Sequence, residues 1–181
     1  MHKPLVARSL LASLFLFAGA TANAGSLVNP CGLVDKSVLA STMGGDVLAS
    51  DKTVLRANND DLYDRSGDCT LSTASGKSKV FFTVFVAKDA GFVGSNFAQS
   101  QQAVDGGKVM PGVKTSPVAG IGDRAYSYHY AFGPGYSSQD TTVSAVAGKK
   151  LVTVSLRNYS GDQNKQIELA KTLVMQILGK L

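Results

Sequence analysis

At 181 residues and 44% apolar side chains, the chain is long enough to bury a core of its own and too apolar to stay disordered. Its 18 basic and 13 acidic residues leave a formal charge of +5. The basic residues are scattered, with Lys149-Lys150 the only adjacent pair, which excludes the dense cationic footprint of a nucleic-acid-binding surface.

The N-terminus indicates export. Lys3 and Arg8 flank a basic start, and Leu10 to Ala18 form an apolar run too short to span a bilayer. Ala22-Asn23-Ala24 supplies the small-x-small cleavage pattern, so residues 1–24 read as a signal peptide and 25–181 as one globular domain. Loss of Lys3 and Arg8 lowers the charge to +3. No later apolar run is long enough for membrane insertion. Cys31 and Cys69 are the only cysteines, and an exported pair is expected to be oxidised to a disulfide. Redox dithiols sit as C-x-x-C, which this pair does not.

Helix one is expected over Lys36–Met43. Asp35 is its N-cap, Val34 and Leu39 form a hydrophobic staple, and Gly44-Gly45 stops it. Val47–Arg56 reads as a weak strand. The oxygen-rich stretch from Asn58 to Asp68 reads as a solvated loop, with calcium binding the alternative, although it lacks the EF-hand spacing. Cys69–Thr73 and Lys79–Ala87 are expected to pair as a hairpin around Ser75-Gly76. The second strand is apolar on both faces, with Val80, Phe82, Val84 and Val86 opposite Phe81, Thr83, Phe85 and Ala87, which makes it central.

Helix two is expected over Phe92–Val104, closed by Gly106-Gly107. Lys108–Ala119 reads as a connection without regular structure, because Pro111 and Pro117 interrupt it. Gly120-Ile121-Gly122-Asp123-Arg124-Ala125 contains G-x-G-x-x-A. A dinucleotide fingerprint needs a helix after those glycines, and an alternating strand follows here, so the reading is a tight turn.

Pro30-Cys31-Gly32-Leu33-Val34 before a short helix, a second cysteine at Cys69, the Gly120–Tyr126 segment, and a terminal amphipathic helix together resemble a recurrent bacterial envelope domain. Its members are small secreted proteins and lipoproteins of unknown function, best known from actinobacteria and similar in architecture to the PsbP-like α/β/α sandwich. The resemblance implies a fold and a compartment, and no catalytic residues. This chain has no tryptophan, where relatives often place Cys-x-Trp.

The last third is expected to form a three-stranded meander over Arg124–Phe132, Asp140–Val146 and Lys150–Leu156. Helix three follows over Gln163–Leu178 with Asp162 as its N-cap. Its stripe of Ile167, Ala170, Leu173, Val174, Ile177 and Leu178 should dock on the sheet. The resulting class is α+β: one mainly antiparallel sheet with three helices.

On the first meander strand Tyr126, Tyr128 and Tyr130 share a face. They are either core beneath a helix or a platform for sugars or planar rings. Phe132 and Tyr136 sit in a Gly-Pro-Gly loop that reads either as solvated with its rings packed down or as a contact tip. After cleavage His129 is the only histidine, so Ser-His-Asp and Cys-His sets and ordinary zinc sites are ruled out without it. His129 sits mid-strand and reads as structural. The expectation is a non-enzymatic secreted or periplasmic binding module with no cofactor or metal. Its partner would be a small ligand or an envelope protein. Alternatives are an inhibitor or accessory subunit of an envelope enzyme, and a carboxylate-based hydrolase.

Overall fold

The computed structural model describes residues 29–43, 47–49, 56–57, 62–131, 139–159 and 162–181, so the expected signal peptide lies outside the described residues. After a 3₁₀ turn at Pro30–Gly32 come α1 (Lys36–Met43), β1 (Val47–Ala49), β2 (Arg56–Ala57), β3 (Tyr63–Thr73) and β4 (Lys79–Ala87). Then follow α2 (Ala90–Asp105), β5 (Ser116–Pro117), β6 (Arg124–Ala131), β7 (Gln139–Ala147), β8 (Lys150–Arg157) and α3 (Gln163–Lys180). All these strands join one sheet in the order β1-β3-β4-β8-β7-β6-β5, with β2 also paired to β3. Every pairing is antiparallel, and the class is α+β as expected.

The β3–β4 hairpin and the β6–β7–β8 meander are fused through β4 and β8, which pair from Lys79↔Arg157 to Val86↔Lys150. Strand alternation then sorts side chains between two faces. One face carries Cys69, Leu71, Val80, Phe82, Val84, Val143, Ala145, Val152, Val154 and Leu156. It packs against Leu39 of α1 and Leu169, Ala170, Leu173, Val174 and Ile177 of α3. The other face meets α2, where Val93 and Phe97 pack with Ala87, Tyr126 and Val146.

Local chemistry fixes where each helix starts. Asp35, Asp89 and Asp162 each accept a hydrogen bond from a free amide of the following turn, from Ser37 N, Phe92 N and Asn164 N respectively, each at 2.8 Å. At the far end of α3, Lys150 Nζ donates to Leu178 O at 3.2 Å, placing a cation on the negative end of the helix. Gly120 and Gly122 both have positive φ. A Cβ at Gly122 would run into the Val146 carbonyl, which already accepts from Asp123 N at 2.6 Å. Close approach to β7 therefore requires glycine there, and the strand β6 follows.

Of the expected strand Val47–Arg56, Val47–Ala49 forms β1 and Arg56 begins β2, and residues 50–55 lie outside the described residues. Three expectations are revised. The expected loop at 58–68 is strand from Tyr63 onward, because pairing with β4, across a bulge between Tyr63 and Arg65, overrides weak local propensity. Residues 58–61 lie outside the described residues. Pro117 does not exclude a strand, since β5 is an edge strand, where a missing amide is tolerated. On α3, Ile167 is only half-buried, and Gln166 is fully buried instead.

Cys31 and Cys69 form the expected disulfide, with Cα atoms 5.3 Å apart across a separation of 38 residues. It ties the turn before α1 to β3. On the chain-entropy account a loop of that length contributes about 4 kcal/mol. Intact mass with and without reductant should differ by the two hydrogens of one disulfide, and finding two free thiols in exported protein would refute it. On α3, Leu173 is fully buried against the sheet, whereas Glu168 is exposed. Leu173→Ala is expected to lower unfolding free energy by about 2–5 kcal/mol and Glu168→Ala by less than about 0.5 kcal/mol, measured by denaturant titration.

Candidate functional site

The period of two along β6 turns Tyr126, Tyr128 and Tyr130 to the α2 face of the sheet. Tyr126 is 3% exposed and lies under Phe97 of α2, ring centroids 4.9 Å apart and tilted by 50°. Tyr128 and Tyr130 are half-buried. Successive rings along the row are nearly parallel, 6.4 Å apart between Tyr126 and Tyr128 and 6.3 Å between Tyr128 and Tyr130. The core reading holds for Tyr126, and Tyr128 and Tyr130 are only half-buried. The row starts in the core beneath α2 and runs out from under it.

Beside the tyrosines lies a ladder of small hydroxyls. Register puts Ser144 of β7 between Tyr126 and Thr153 of β8, and Thr142 between Tyr128 and Ser155. Ser144 and Thr153 hydroxyls lie 2.8 Å apart, and those of Thr142 and Ser155 2.9 Å apart. Pairing lets these polar groups stay on a largely covered face without the cost of unsatisfied burial. Their side chains are short, so the space above them is not filled. The last turns of α2 and the segment after it bridge that space and leave a half-open groove of about 280 Å³. Tyr126 and Tyr128 form one side, Ser144 and Thr153 the floor, and Ser100, Ala103, Val104 and Val109 the helix side.

None of these eight side chains carries a charge. Asp105, at the end of α2, is already committed: it accepts from Thr115 N at 2.7 Å and from Thr115 Oγ1 at 3.0 Å. Burial pushes the Tyr126 hydroxyl above its ordinary pKa, against a hydrogen bond with Ser144 that pulls it down.

The row ends at a charged cluster. Tyr130 donates to Asp140 Oδ2 at 2.9 Å, and Asp140 is only 6% exposed. Burial first, then that hydrogen bond and the Asp140 charge, push Tyr130 up to about 12. Arg157 stands over the Phe81 ring at 5.7 Å, with its Nε 3.9 Å from Asp140 Oδ2.

On the opposite face His129 belongs to a polar chain. Gln166 uses its amide N–H on Tyr159 O at 3.0 Å, so its oxygen accepts from Thr141 Oγ1. Thr141 Oγ1 must then accept from His129, at 2.8 Å, which fixes the proton on Nδ1. Tyr159 OH reaches Thr42 O at 2.6 Å and links α1 to the same chain. His129 thus holds helices to the sheet, in keeping with its structural reading.

The proposed contact residues divide accordingly. Tyr126 and Tyr128 line the groove, Tyr130 lies beyond it against Asp140, and Phe132 and Tyr136 lie outside the described residues. Sequence reasoning missed Ser144 and Thr153 as floor residues, and Ser100, Ala103, Val104 and Val109 as the facing wall. It missed Gln166 although that residue stands at helical spacing from Ala170, Leu173 and Ile177. Among the described residues no group of three or more His, Cys, Asp or Glu side chains is placed to hold a metal ion.

Burial holds His129 below its ordinary pKa, and the Asp140 charge opposes this only in part. A histidine whose folded pKa is depressed contributes stability above its unfolded pKa of about 6.5 and loses it as pH falls through the folded value. His129→Asn keeps a donor but does not titrate. Wild type is therefore expected to lose more melting temperature than H129N between about pH 7.5 and about pH 5. Equal losses would show that His129 charges freely.

No family model matches this chain, and no curated protein matches it in sequence. Among solved structures it is similar to the extracellular domain of PknH from Mycobacterium tuberculosis, with a TM-score of 0.57 at 13% identity, over 86% of this chain and 97% of that one. At that identity the likeness is one of fold.

Proposed function

We propose that this protein is a non-enzymatic, extracytoplasmic binding module whose ligand site is the groove beneath the end of α2. The observation that carries the reading is the placement of Tyr126 and Tyr128 along an open, uncharged groove rather than wholly in the core. Groups in the groove offer hydrogen bonds and ring faces, and none is a nucleophile paired with a base. The Asp140–Tyr130 pair holds one carboxylate, whereas glycosidase chemistry uses two.

Export is supported by the signal-like N-terminus and by the Cys31–Cys69 disulfide, a bond that persists in oxidising compartments. Among the described residues no helix is long and apolar enough to cross a membrane. The resemblance to small secreted envelope proteins agrees with this reading. So does the shared fold with a domain described as extracellular.

The test is to fill the groove. Ala103→Trp adds a large ring to the helix wall at a half-buried position, so folding should survive with a small change in melting temperature. Small molecules from an envelope extract should shift the NMR signals of Tyr126, Tyr128 and Ser144 saturably in wild type and leave them unmoved in A103W. Saturable shifts confined to other surfaces, or an unchanged response in the variant, would remove the groove as the site.

A further inference from the structure

The groove's chemistry narrows its ligand, on the reading that the groove is the site. Its volume, about 280 Å³, is at the low edge of the range of ligand pockets, which suits a single ring with more chain outside. An anion would find no cation among the lining residues, and a cation no carboxylate among them; Asp105 stands outside the lining, with its oxygens turned to Thr115. An alkyl chain would match Val104 and Val109 but would cover the Ser144 and Thr153 hydroxyls without bonding to them, which is costly. Tyr126, Ser144 and Thr153 hydrogen-bond among themselves. Three hydroxyls joined by two such bonds still have at least one proton to donate and several lone pairs to accept with.

We propose that the groove takes an uncharged, hydroxyl-bearing ring of the hexose type, free or as the end of a glycan chain. Such a ring has an apolar C–H face to lie against the tyrosines and Val104. Its hydroxyls both donate and accept, as the Ser144–Thr153 floor does. The half-open side lets a chain-terminal sugar enter with the remainder in solvent.

The experiment titrates the mature protein with glucose, N-acetylglucosamine, maltose and a maltodextrin, alongside sodium octanoate and sodium glucuronate. The chain has no tryptophan, so its fluorescence comes from six tyrosines, of which Tyr126 and Tyr128 line the groove, and NMR locates the site. At least one neutral saccharide is expected to bind saturably below about 10 mM with shifts at Tyr128 and Thr153, and Thr153→Val should weaken it about tenfold in protein that a thermal melt shows to be folded. The same variant should tighten octanoate, if octanoate binds at all, because the floor becomes apolar. Maltose binding with no response to maltodextrin assigns a free sugar, and comparable binding of both assigns a chain end. Octanoate or glucuronate shifting the groove residues while the saccharides do not would overturn the ligand class and leave the groove standing. No probe shifting the groove residues would overturn the ligand class, and a failure of the extract to shift them as well would overturn the groove.

Discussion

The antiparallel register that inserts β8 between β4 and β7 is the constraint on which the rest depends. Val152, Val154 and Leu156 pair with Val84, Phe82 and Val80 on one side and with Ala145, Val143 and Thr141 on the other. A slip of one residue would exchange the faces, turning this apolar set toward α2 and the Thr153–Ser155 hydroxyls toward α3. Neither helix could then dock, since α3 presents only aliphatic side chains and one committed glutamine to the sheet. Among the described residues the β4–β8 pairing is also the only direct link between the N-terminal hairpin and the meander within the sheet, so a single strand pair fixes both the topology and the chemistry of the two faces.

Those faces differ in kind. Under α3 the sheet is close-packed, and a polar chain runs from His129 through Thr141 and Gln166 to Tyr159. Under the end of α2 the β7 and β8 side chains, Thr142, Ser144, Thr153 and Ser155, are short and hydroxylated. Phe97 and Val93 fill the space over Tyr126 and Val146, but toward the helix end Ser100 and Ala103 are too small to reach the floor. The groove is therefore set by side-chain size on two elements at once, and it opens where small residues face small residues.

Much of this was legible in the sequence. The three helices, the hairpin, the meander and the disulfide follow from strong local signals: cap residues, period, glycine turns and a lone cysteine pair behind a signal-like N-terminus. What was not legible depends on partners distant in sequence. Tyr63 to Asp68 look like a loop until β4 is laid beside them. Pro117 looks like a strand breaker until β5 proves to lie at the sheet edge. The face of the tyrosine row could be read, but not whether a helix covered it, because α2 covers Tyr126 and leaves Tyr128 and Tyr130 half-exposed. Gln166 was overlooked because a polar residue within an apolar stripe is read as an exception until its partners, Thr141 and Tyr159, are known.

The way the two helical layers are held explains why the groove lies on the α2 side. On the opposite side α1 is secured by the disulfide beside it, by Asp35 N donating to Gln176 Oε1 at 3.1 Å, and by Tyr159 reaching Thr42. Lys150 closes the end of α3, and the stripe from Leu169 to Ile177 is buried throughout. The α2 helix is not tied by the disulfide. Its anchors include Val93, Phe97 and Val104, an exposed contact from Arg124 to Gly94 O, and the bonds of Gln101 and Asp105 to Thr115. Opening free energy within a domain follows such differences in burial and bonding. The layer that borders the groove is thus the one held without a covalent tie, while the disulfide-linked layer keeps the sheet beneath it in register.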